Sequence, residues 1–186
     1  MKPNWFVAIP VPGGPWFPVL LADLPTGVRP SHRLDLHITL AFLGPVSPAQ
    51  ARAGFEALPA ECEGPLRVTL SRLRGMGNRR RPSAYALTLE EGREVVASRM
   101  ARWRDDVFDA AGARPDTRKP LPHITVARPP RRASDALYAD GQVWMRSKAL
   151  SDSIALEHIA LEHIALYTWS ADRRARQFQI IEQRAL

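Results

Sequence analysis

The chain has 186 residues, which is enough for one compact domain with a sizeable buried core. Its 26 basic and 19 acidic residues leave a net charge of +7, which favours a polyanionic partner, although a generally basic protein without such a partner has the same balance. The single cysteine, Cys62, excludes an internal disulfide and a cysteine-based zinc cluster. No apolar run approaches the roughly 20 residues of a membrane span, and prolines interrupt the N-terminal stretch, so we expect a cytoplasmic protein without a membrane partner.

The first third of the chain alternates between strand and helix signals. An aliphatic and aromatic run ends at Pro-Gly-Gly-Pro, which is a turn signal, and a second run ends at Gly-Pro. Ser47 and Pro48 are a typical N-cap and first residue of a helix. The predicted elements are therefore a strand over 5–11, a helix over 16–24, a strand near 34–43 and a helix over 48–58.

The middle of the chain predicts a hairpin and a long helix. Residues 66–73 alternate between apolar and polar side chains, as in a strand with one buried face. The segment 75–78 contains two glycines and an asparagine and predicts a turn before a strand over 84–89. A helix is predicted over 91–111, with an apolar stripe of Val95, Met100, Trp103 and Val107–Phe108.

The last third begins with a second strand near 121–128 and then loses regular periodicity. A five-residue unit, Ile-Ala-Leu-Glu-His, occurs twice and is followed by a third Ile-Ala-Leu within 154–166. This period matches neither a helix nor a strand. The remaining predictions are an irregular or helical stretch over 134–141 and strands over 142–147, 154–168 and 176–183.

Two of these strands carry the same motif, His-Ile-Thr followed by an aliphatic residue. His37 and Thr39 lie two positions apart, so in a strand they share one face, and His123 and Thr125 repeat the arrangement. A lone histidine on a strand is more often a structural residue than a catalyst. Two copies among only five histidines favour a catalytic pair.

Phosphodiester chemistry suits such a pair. One group must take a proton from the nucleophile, and another must give a proton to the leaving oxygen. An imidazole with an ordinary pKa of about 6.5 can do either near neutral pH. The hydroxyl two residues later can donate a hydrogen bond to a phosphate oxygen, although β-propensity alone would also explain a threonine there.

The two extended motifs, His-Ile-Thr-Leu-Ala-Phe-Leu-Gly and Pro-His-Ile-Thr-Val-Ala-Arg, resemble those of the two-histidine phosphoesterase superfamily. The resemblance is to its bacterial and archaeal branch of RNA 2′,3′-cyclic phosphodiesterases, also called 2′-5′ RNA ligases. It implies an α+β fold with two pseudo-symmetric lobes. Each lobe is then an antiparallel sheet with helices on its outer face, and the active site lies in the cleft between them. Residues 1–186 would form one bilobal domain.

The resemblance also implies a reaction and residue roles. The enzyme would hydrolyse RNA 2′,3′-cyclic phosphate ends to 2′-phosphates, with His37 as the acid that protonates the 3′-oxygen and His123 as the base that activates water. Thr39 and Thr125 would hold phosphate oxygens. Residues at the offsets of Phe42 and Arg128 flank the terminal base or phosphate in the family. In a regular strand these odd offsets point away from the histidines, so a bulge is required, and core packing is the alternative for Phe42.

Five further basic residues are candidates for contacts with the RNA backbone. A run of charge is, however, most often a solvated loop. The candidates are Arg79, Arg80 and Arg81, which follow a glycine-rich turn, and Arg118 and Lys119, which precede the second motif.

The sequence has no metal-ligand spacing and no Walker-type phosphate loop, so we expect catalysis without a metal or cofactor. Any ligation would then be the hydrolysis reaction run backward, without ATP.

Two alternative functions remain open from the sequence. The substrate could be a small cyclic phosphate or cyclic nucleotide, or the chain could be a non-catalytic RNA-binding module. The intact motif pair argues against the second alternative, and the basic composition argues mildly against the first. We expect a monomer. Near the C-terminus, the segment 176–180 departs from the Gly-x-x-Tyr pattern that relatives often carry.

Overall fold

The computed structural model of the chain describes residues 2–60, 63–148 and 158–186. Cys62 and residues 154–157, the first four of the five-residue repeat, lie outside this part. The elements, in chain order, are β1 (Trp5–Pro10), α1 (Trp16–Leu21), β2 (Arg29–Pro30), a 3₁₀ turn (Arg33–Asp35), β3 (His37–Gly44), α2 (Pro48–Glu56), β4 (Leu66–Gly77), β5 (Pro82–Leu89), α3 (Arg93–Ala110), β6 (His123–Arg128), α4 (Asp135–Lys148), β7 (His158–Leu161), β8 (His163–Trp169) and β9 (Phe178–Ala185).

The strands of the described residues join in one antiparallel sheet. The strand order is β7-β4-β5-β6-β3-β1-β8-β9, and the short β2 pairs with β6. Four strands lie on each side of the β3–β6 contact, which is a single pair, Ile38 with Ile124. The two motif strands therefore meet at the centre of the sheet. The α+β class predicted from the sequence is confirmed.

Helices cover one face of the sheet, and this leaves the other face available for a site. Ile38, Leu40, Ile124 and Val126 point into the main core, which they share with residues of α2 and α3. Helix α2 begins as predicted, because the Ser47 hydroxyl accepts a hydrogen bond from the main-chain N–H of Gln50 in a full capping box. The motif residues that alternate with this apolar set therefore lie on the opposite, open face.

Several sequence-based element boundaries are wrong. The strand predicted over 142–147 is the second half of α4, since Gly141, Trp144 and Met145 are buried at helical spacing. The turn predicted over 75–78 begins only at Asn78, because β4 extends to Gly77. In α3, Val95 is 47% exposed and the adjacent Val96 is buried, so the apolar stripe starts one position later than predicted.

The five-residue repeat acquires a physical explanation in the described part. The strand predicted over 154–168 is interrupted at Glu162, which separates β7 on β4 from β8 on β1. A step of five residues along an unbroken strand would turn the second copy to the opposite face. The interruption compensates for this odd step, so Ile159 and Ile164 are both buried in the main core.

Candidate active site

The first residues of β3 and β6 form the centre of the candidate site. In an antiparallel ladder, the Ile38–Ile124 pair places His37 opposite Thr125 and Thr39 opposite His123. The two histidines are therefore diagonal neighbours, at a typical separation of roughly 7–8 Å. Each motif thus supplies one imidazole and one hydroxyl to the same small patch on the open face of the sheet.

Each imidazole is oriented by a main-chain carbonyl two residues earlier. The Nδ1–H of His37 donates to the oxygen of Asp35 over 2.6 Å, and the Nδ1–H of His123 donates to the oxygen of Leu121 over 2.7 Å. A carbonyl oxygen can only accept, so the bond requires the proton on Nδ1. In both neutral rings the lone pair is therefore on Nε2, the nitrogen left for substrate.

Burial favours the neutral form of both imidazoles in the unliganded protein. The ring of His37 lies against those of Phe6, Tyr167 and Phe178, at centroid distances of 4.8, 5.4 and 5.6 Å. Loss of hydration lowers the pKa of His37 to about 4, although its bond to the Asp35 carbonyl and the Asp35 charge act in the opposite direction.

Burial is also the main cause that lowers the pKa of His123. The charges of Arg128 and Arg118 lower it further, while the hydrogen bond to the Leu121 carbonyl raises it. No carboxylate acts on this imidazole as Asp35 acts on His37, within the described residues. The two histidines are thus held alike but differ in their electrostatic surroundings.

A bulge in each motif strand brings the residue five positions after the histidine back to the open face. In β3 the register against β1 shifts between Thr39 and Ala41, and in β6 the register against β5 shifts between Thr125 and Ala127. In both strands two successive buried residues consequently precede an exposed one. The exposed residue is Phe42 in β3 and Arg128 in β6. Phe42 is 55% exposed, so core packing does not explain it.

A cleft of about 250 Å³ adjoins His37. Its wall includes His37, Thr125 and Arg128 from the predicted set, but neither His123 nor Thr39. The remaining wall consists of residues that the sequence-based prediction missed. They are mainly Arg29 and Ser31 from the segment around β2, the buried Asp35, and the β8–β9 loop with Arg173, Arg174 and Arg176.

The predicted RNA-backbone candidates lie apart from this cleft or are already paired. Arg79, Arg80 and Arg81 line a different surface pocket beside α4, where Arg81 forms an ion pair of 2.7 Å with Asp135. Arg118 is near enough to lower the pKa of His123, but its guanidinium is bound to the carboxylate of Asp116. Lys119 is an exposed loop residue.

Residues 2–60, 63–148 and 158–186 contain no group of three or more His, Cys, Asp or Glu side chains able to hold a metal ion. None of the helices that they form is long and apolar enough to cross a membrane.

Sequence comparison places the chain beside known phosphoesterases. The family model described as LigT like Phosphoesterase matches residues 16–85, which include the first motif. The RNA 2′,3′-cyclic phosphodiesterase of Bacillus subtilis (strain 168) is 29% identical over 135 residues, covering 69% of this chain and 72% of that protein. The protein of the same name from Geobacillus stearothermophilus is 35% identical over 102 residues, which span 52% of this chain but 31% of that protein.

Structural comparison extends the similarity over the whole chain. The structure of E. coli LigT complexed with NADP+ superposes with a TM-score of 0.69 at 22% identity, covering 100% of this chain and 99% of that one. The structure of TT0787 of Thermus thermophilus gives a TM-score of 0.68 at 18% identity, with 98% and 97% covered. The chain is thus similar to LigT-like phosphoesterases in the sequence around its first histidine motif and in its fold, and both of its own motifs lie at the centre of that fold.

Proposed function

We propose that this protein is an RNA end-processing phosphodiesterase that hydrolyses 2′,3′-cyclic phosphate termini to 2′-phosphates by metal-independent acid–base catalysis. The observation that carries the proposal is the pair of diagonal imidazoles, His37 and His123, whose Nε2 atoms are both left for substrate. The names of the curated relatives support the choice of RNA 2′,3′-cyclic phosphate as the substrate.

The proposed reaction is an in-line substitution at phosphorus. Nε2 of His123 takes a proton from a water molecule while the water oxygen bonds to phosphorus. The bond from phosphorus to the 3′-oxygen breaks, and Nε2 of protonated His37 gives its proton to that oxygen. The products are a 2′-phosphate monoester and a free 3′-hydroxyl, and exchange with solvent then removes the proton from His123 and restores the one on His37.

His37 must gain a proton in the complex, because its pKa of about 4 keeps it neutral when the site is free. A phosphate anion about 4 Å away favours the imidazolium by about 4 kcal/mol at an effective dielectric constant near 20, which corresponds to about 3 pKa units. The Asp35 charge already acts in the same direction. This is the physical reason to assign the acid role to His37 and the base role to His123.

The other motif residues have supporting roles in this proposal. The hydroxyls of Thr39 and Thr125 donate hydrogen bonds to the non-bridging phosphate oxygens, where negative charge increases in the transition state. The exposed ring of Phe42 stacks on the terminal base. Arg128 binds the phosphate or the base by its guanidinium plane.

The same groups can run the reaction in reverse. If a 5′-hydroxyl replaces water at His123, attack on the cyclic phosphate forms a 2′-5′ linkage and again releases the 3′-oxygen. The energy comes from the strained ring, so ligation needs no ATP. We propose this 2′-5′ RNA ligation as a side activity.

The test is hydrolysis of an oligoribonucleotide with a 2′,3′-cyclic phosphate end in the presence of EDTA. Wild-type protein is compared with His37→Ala, His123→Ala and a control, His163→Ala, which removes an exposed histidine from β8. We expect a 2′-phosphate product, a loss of about 10²–10⁴-fold in kcat for each catalytic variant, and wild-type rates for the control.

Other results would change the assignment in defined ways. A 3′-phosphate product would retain the catalytic pair but refute the 3′-oxygen as leaving group. Activity that disappears in EDTA and returns with a divalent cation would refute the metal-independent mechanism. If wild-type protein binds RNA but turns over no cyclic phosphate, the protein is a non-catalytic RNA-binding module. If it turns over small cyclic phosphates but not RNA ends, it is a small-molecule phosphodiesterase.

A further inference from the structure

The β8–β9 loop forms one wall of the cleft beside His37 and is rich in arginine. Arg173, Arg174 and Arg176 all line the cleft, although none lies near His37 in sequence. The position and the charge of the loop together suggest a binding surface that the two motifs do not provide.

The loop is held in a fixed position relative to the catalytic pair by one buried carboxylate. Asp35 is 5% exposed, and its two oxygens accept hydrogen bonds from the main-chain N–H of Gln177 at 2.8 Å and of Phe178 at 3.2 Å. They also accept from Nε of Arg176 at 3.2 Å. Because the carbonyl of the same Asp35 orients His37, the loop and the imidazole share one anchor.

The tip of the loop is organised by a second aspartate. The Asp172 carboxylate accepts hydrogen bonds from the main-chain N–H groups of Arg174 and Ala175, at 2.9 and 3.3 Å. The guanidinium of Arg173 lies over the ring of Trp169, with its carbon 4.2 Å from the centroid. Such stacking restricts the side chain before any ligand arrives, so less conformational entropy is lost on binding.

The cleft contains more positive charge than a single cyclic phosphate needs. Arg176 is neutralised by Asp35. Within the described residues, no acidic side chain forms an ion pair with the other four arginines of the cleft, which are Arg29, Arg128, Arg173 and Arg174. Arg29 and Arg128 are register partners on β2 and β6, so these two cations lie close together. A terminal cyclic phosphate carries one negative charge, so it leaves most of this charge unbalanced.

From this excess we infer that Arg173 and Arg174, with Arg29 beside them, form a subsite for the phosphodiester group on the 5′ side of the terminal nucleotide. Arginine is suited to this ligand because its planar fork binds two phosphate oxygens at once. A mononucleotide with a free 5′-hydroxyl has no charge to place there. The inference rests on the proposed function and deepens it, because it makes the enzyme selective for a polynucleotide end.

Three substrates test whether the group bound at this subsite is the phosphodiester of a polynucleotide or the phosphate of a small molecule. They are uridine 2′,3′-cyclic phosphate, the same compound with a 5′-monophosphate, and the dinucleotide uridylyl-uridine 2′,3′-cyclic phosphate. For wild-type protein we expect kcat/KM to be at least about tenfold higher for the dinucleotide than for the first compound, as for a charged hydrogen-bonded contact. The increase in kcat/KM over the unphosphorylated mononucleotide should be smaller for the 5′-monophosphate than for the dinucleotide.

The matching variant is Arg173→Ala/Arg174→Ala, which should remove most of the gain for the dinucleotide and leave the unphosphorylated mononucleotide within about twofold of wild type. That unchanged activity also establishes that the variant is folded. The control Arg114→Ala/Arg146→Ala removes the same charge from exposed positions that do not line the cleft, and it should keep the gain. If the control variant lost the kcat/KM advantage of the dinucleotide to the same extent, general electrostatic attraction rather than a subsite would explain that advantage.

Two results would overturn the inference while leaving the proposed function intact. One is equal kcat/KM for the mononucleotide and the dinucleotide with wild-type protein. The other is a 5′-monophosphate gain that equals or exceeds that of the dinucleotide, which would indicate a small phosphorylated substrate. If none of the three cyclic phosphates is opened, the proposed function itself fails, and this outcome is distinct from both of the others.

Discussion

His37 and His123 lie diagonally across the single residue pair that joins the two halves of the sheet. Each is held by the same device, a bond from Nδ1–H to the carbonyl two residues earlier. The difference between them is electrostatic, since among the described residues a carboxylate, that of Asp35, acts on His37 but none acts on His123. Two similarly held imidazoles thus differ in their electrostatic surroundings, as the proposed acid–base mechanism requires.

The first prediction concerns the pH dependence of kcat/KM, which reports the ionisations of the free enzyme. In the proposed mechanism the acid His37 must be protonated, and its pKa is about 4, while the base His123 must be neutral, and its pKa is lowered from 6.5. We therefore expect a bell-shaped profile with its maximum below pH 6.5. The kcat profile should lie at higher pH, because bound phosphate raises both pKa values. A kcat/KM that still rises above pH 7 would contradict this assignment.

The second prediction is that His37 makes the fold sensitive to acid. The unfolded chain binds a proton at this imidazole near pH 6.5, whereas the folded protein binds it only near pH 4. Stability is therefore complete above pH 6.5 and decreases as the pH falls toward 4, by about 2 kcal/mol between pH 6.5 and 5 for this group. Urea unfolding of wild type and His37→Gln at both pH values measures it. The variant should lose less stability than wild type over this interval, and an equal loss would refute the prediction.

The third prediction concerns Asp35 as a positioning residue. Asp35→Asn removes the charge from a buried carboxylate that anchors the β8–β9 loop, and truncating one member of a buried pair costs about 3–5 kcal/mol when both partners are desolvated. Arg176 is 29% exposed, so we expect about 2 kcal/mol in urea unfolding. Asp135→Asn, which breaks the exposed pair with Arg81, should cost at most about 1 kcal/mol.

Loss of the Asp35 charge should also be visible at His37 itself. The carboxylate raises the pKa of this imidazole, so Asp35→Asn should lower that pKa further, while the bond from Nδ1–H to the main-chain carbonyl remains. NMR titration of the His37 ring measures the shift directly. A purely structural role for Asp35 would reduce stability without moving the pKa, and this result would exclude the electrostatic coupling.

The sequence was sufficient to predict the parts of the site that depend on local pattern. The alternation around His37 and His123 predicts which side chains share a face, and both motif strands follow it until their bulges. The need for a bulge before Phe42 and Arg128 also follows from the odd offset alone. The start of α2 at Ser47 is similarly local, because it is determined by capping chemistry.

The parts that were missed depend on contacts between distant segments. Asp35 and Gln177 are 142 positions apart, and nothing in either segment indicates that a carboxylate of one binds the main chain of the other. The arginines of the β8–β9 loop look like an exposed basic run until that contact places them in the cleft. The strand predicted over 142–147 failed for a related reason, since its apolar residues pack at helical spacing against the sheet.

The last prediction concerns Phe42, whose ring is exposed on the face that carries His37. Because it is 55% exposed, Phe42→Ala should change the free energy of unfolding by less than about 0.5 kcal/mol. Stacking on a base contributes about 1–3 kcal/mol, so KM for a cyclic-phosphate dinucleotide should rise about tenfold. We expect little change in kcat, because stacking is present equally in the ground state and the transition state.

Two further variants make the Phe42 experiment specific. Phe42→Trp retains an aromatic surface and should restore KM to near the wild-type value. Val143→Ala removes a similarly exposed apolar side chain, 57% exposed, from α4, and it should leave KM unchanged. If Phe42→Ala instead lowered stability by about 2 kcal/mol or more, the ring would be a packing residue. If stability and KM were both unaffected, the terminal base would have to be bound elsewhere, and Arg128 would be the next residue to test.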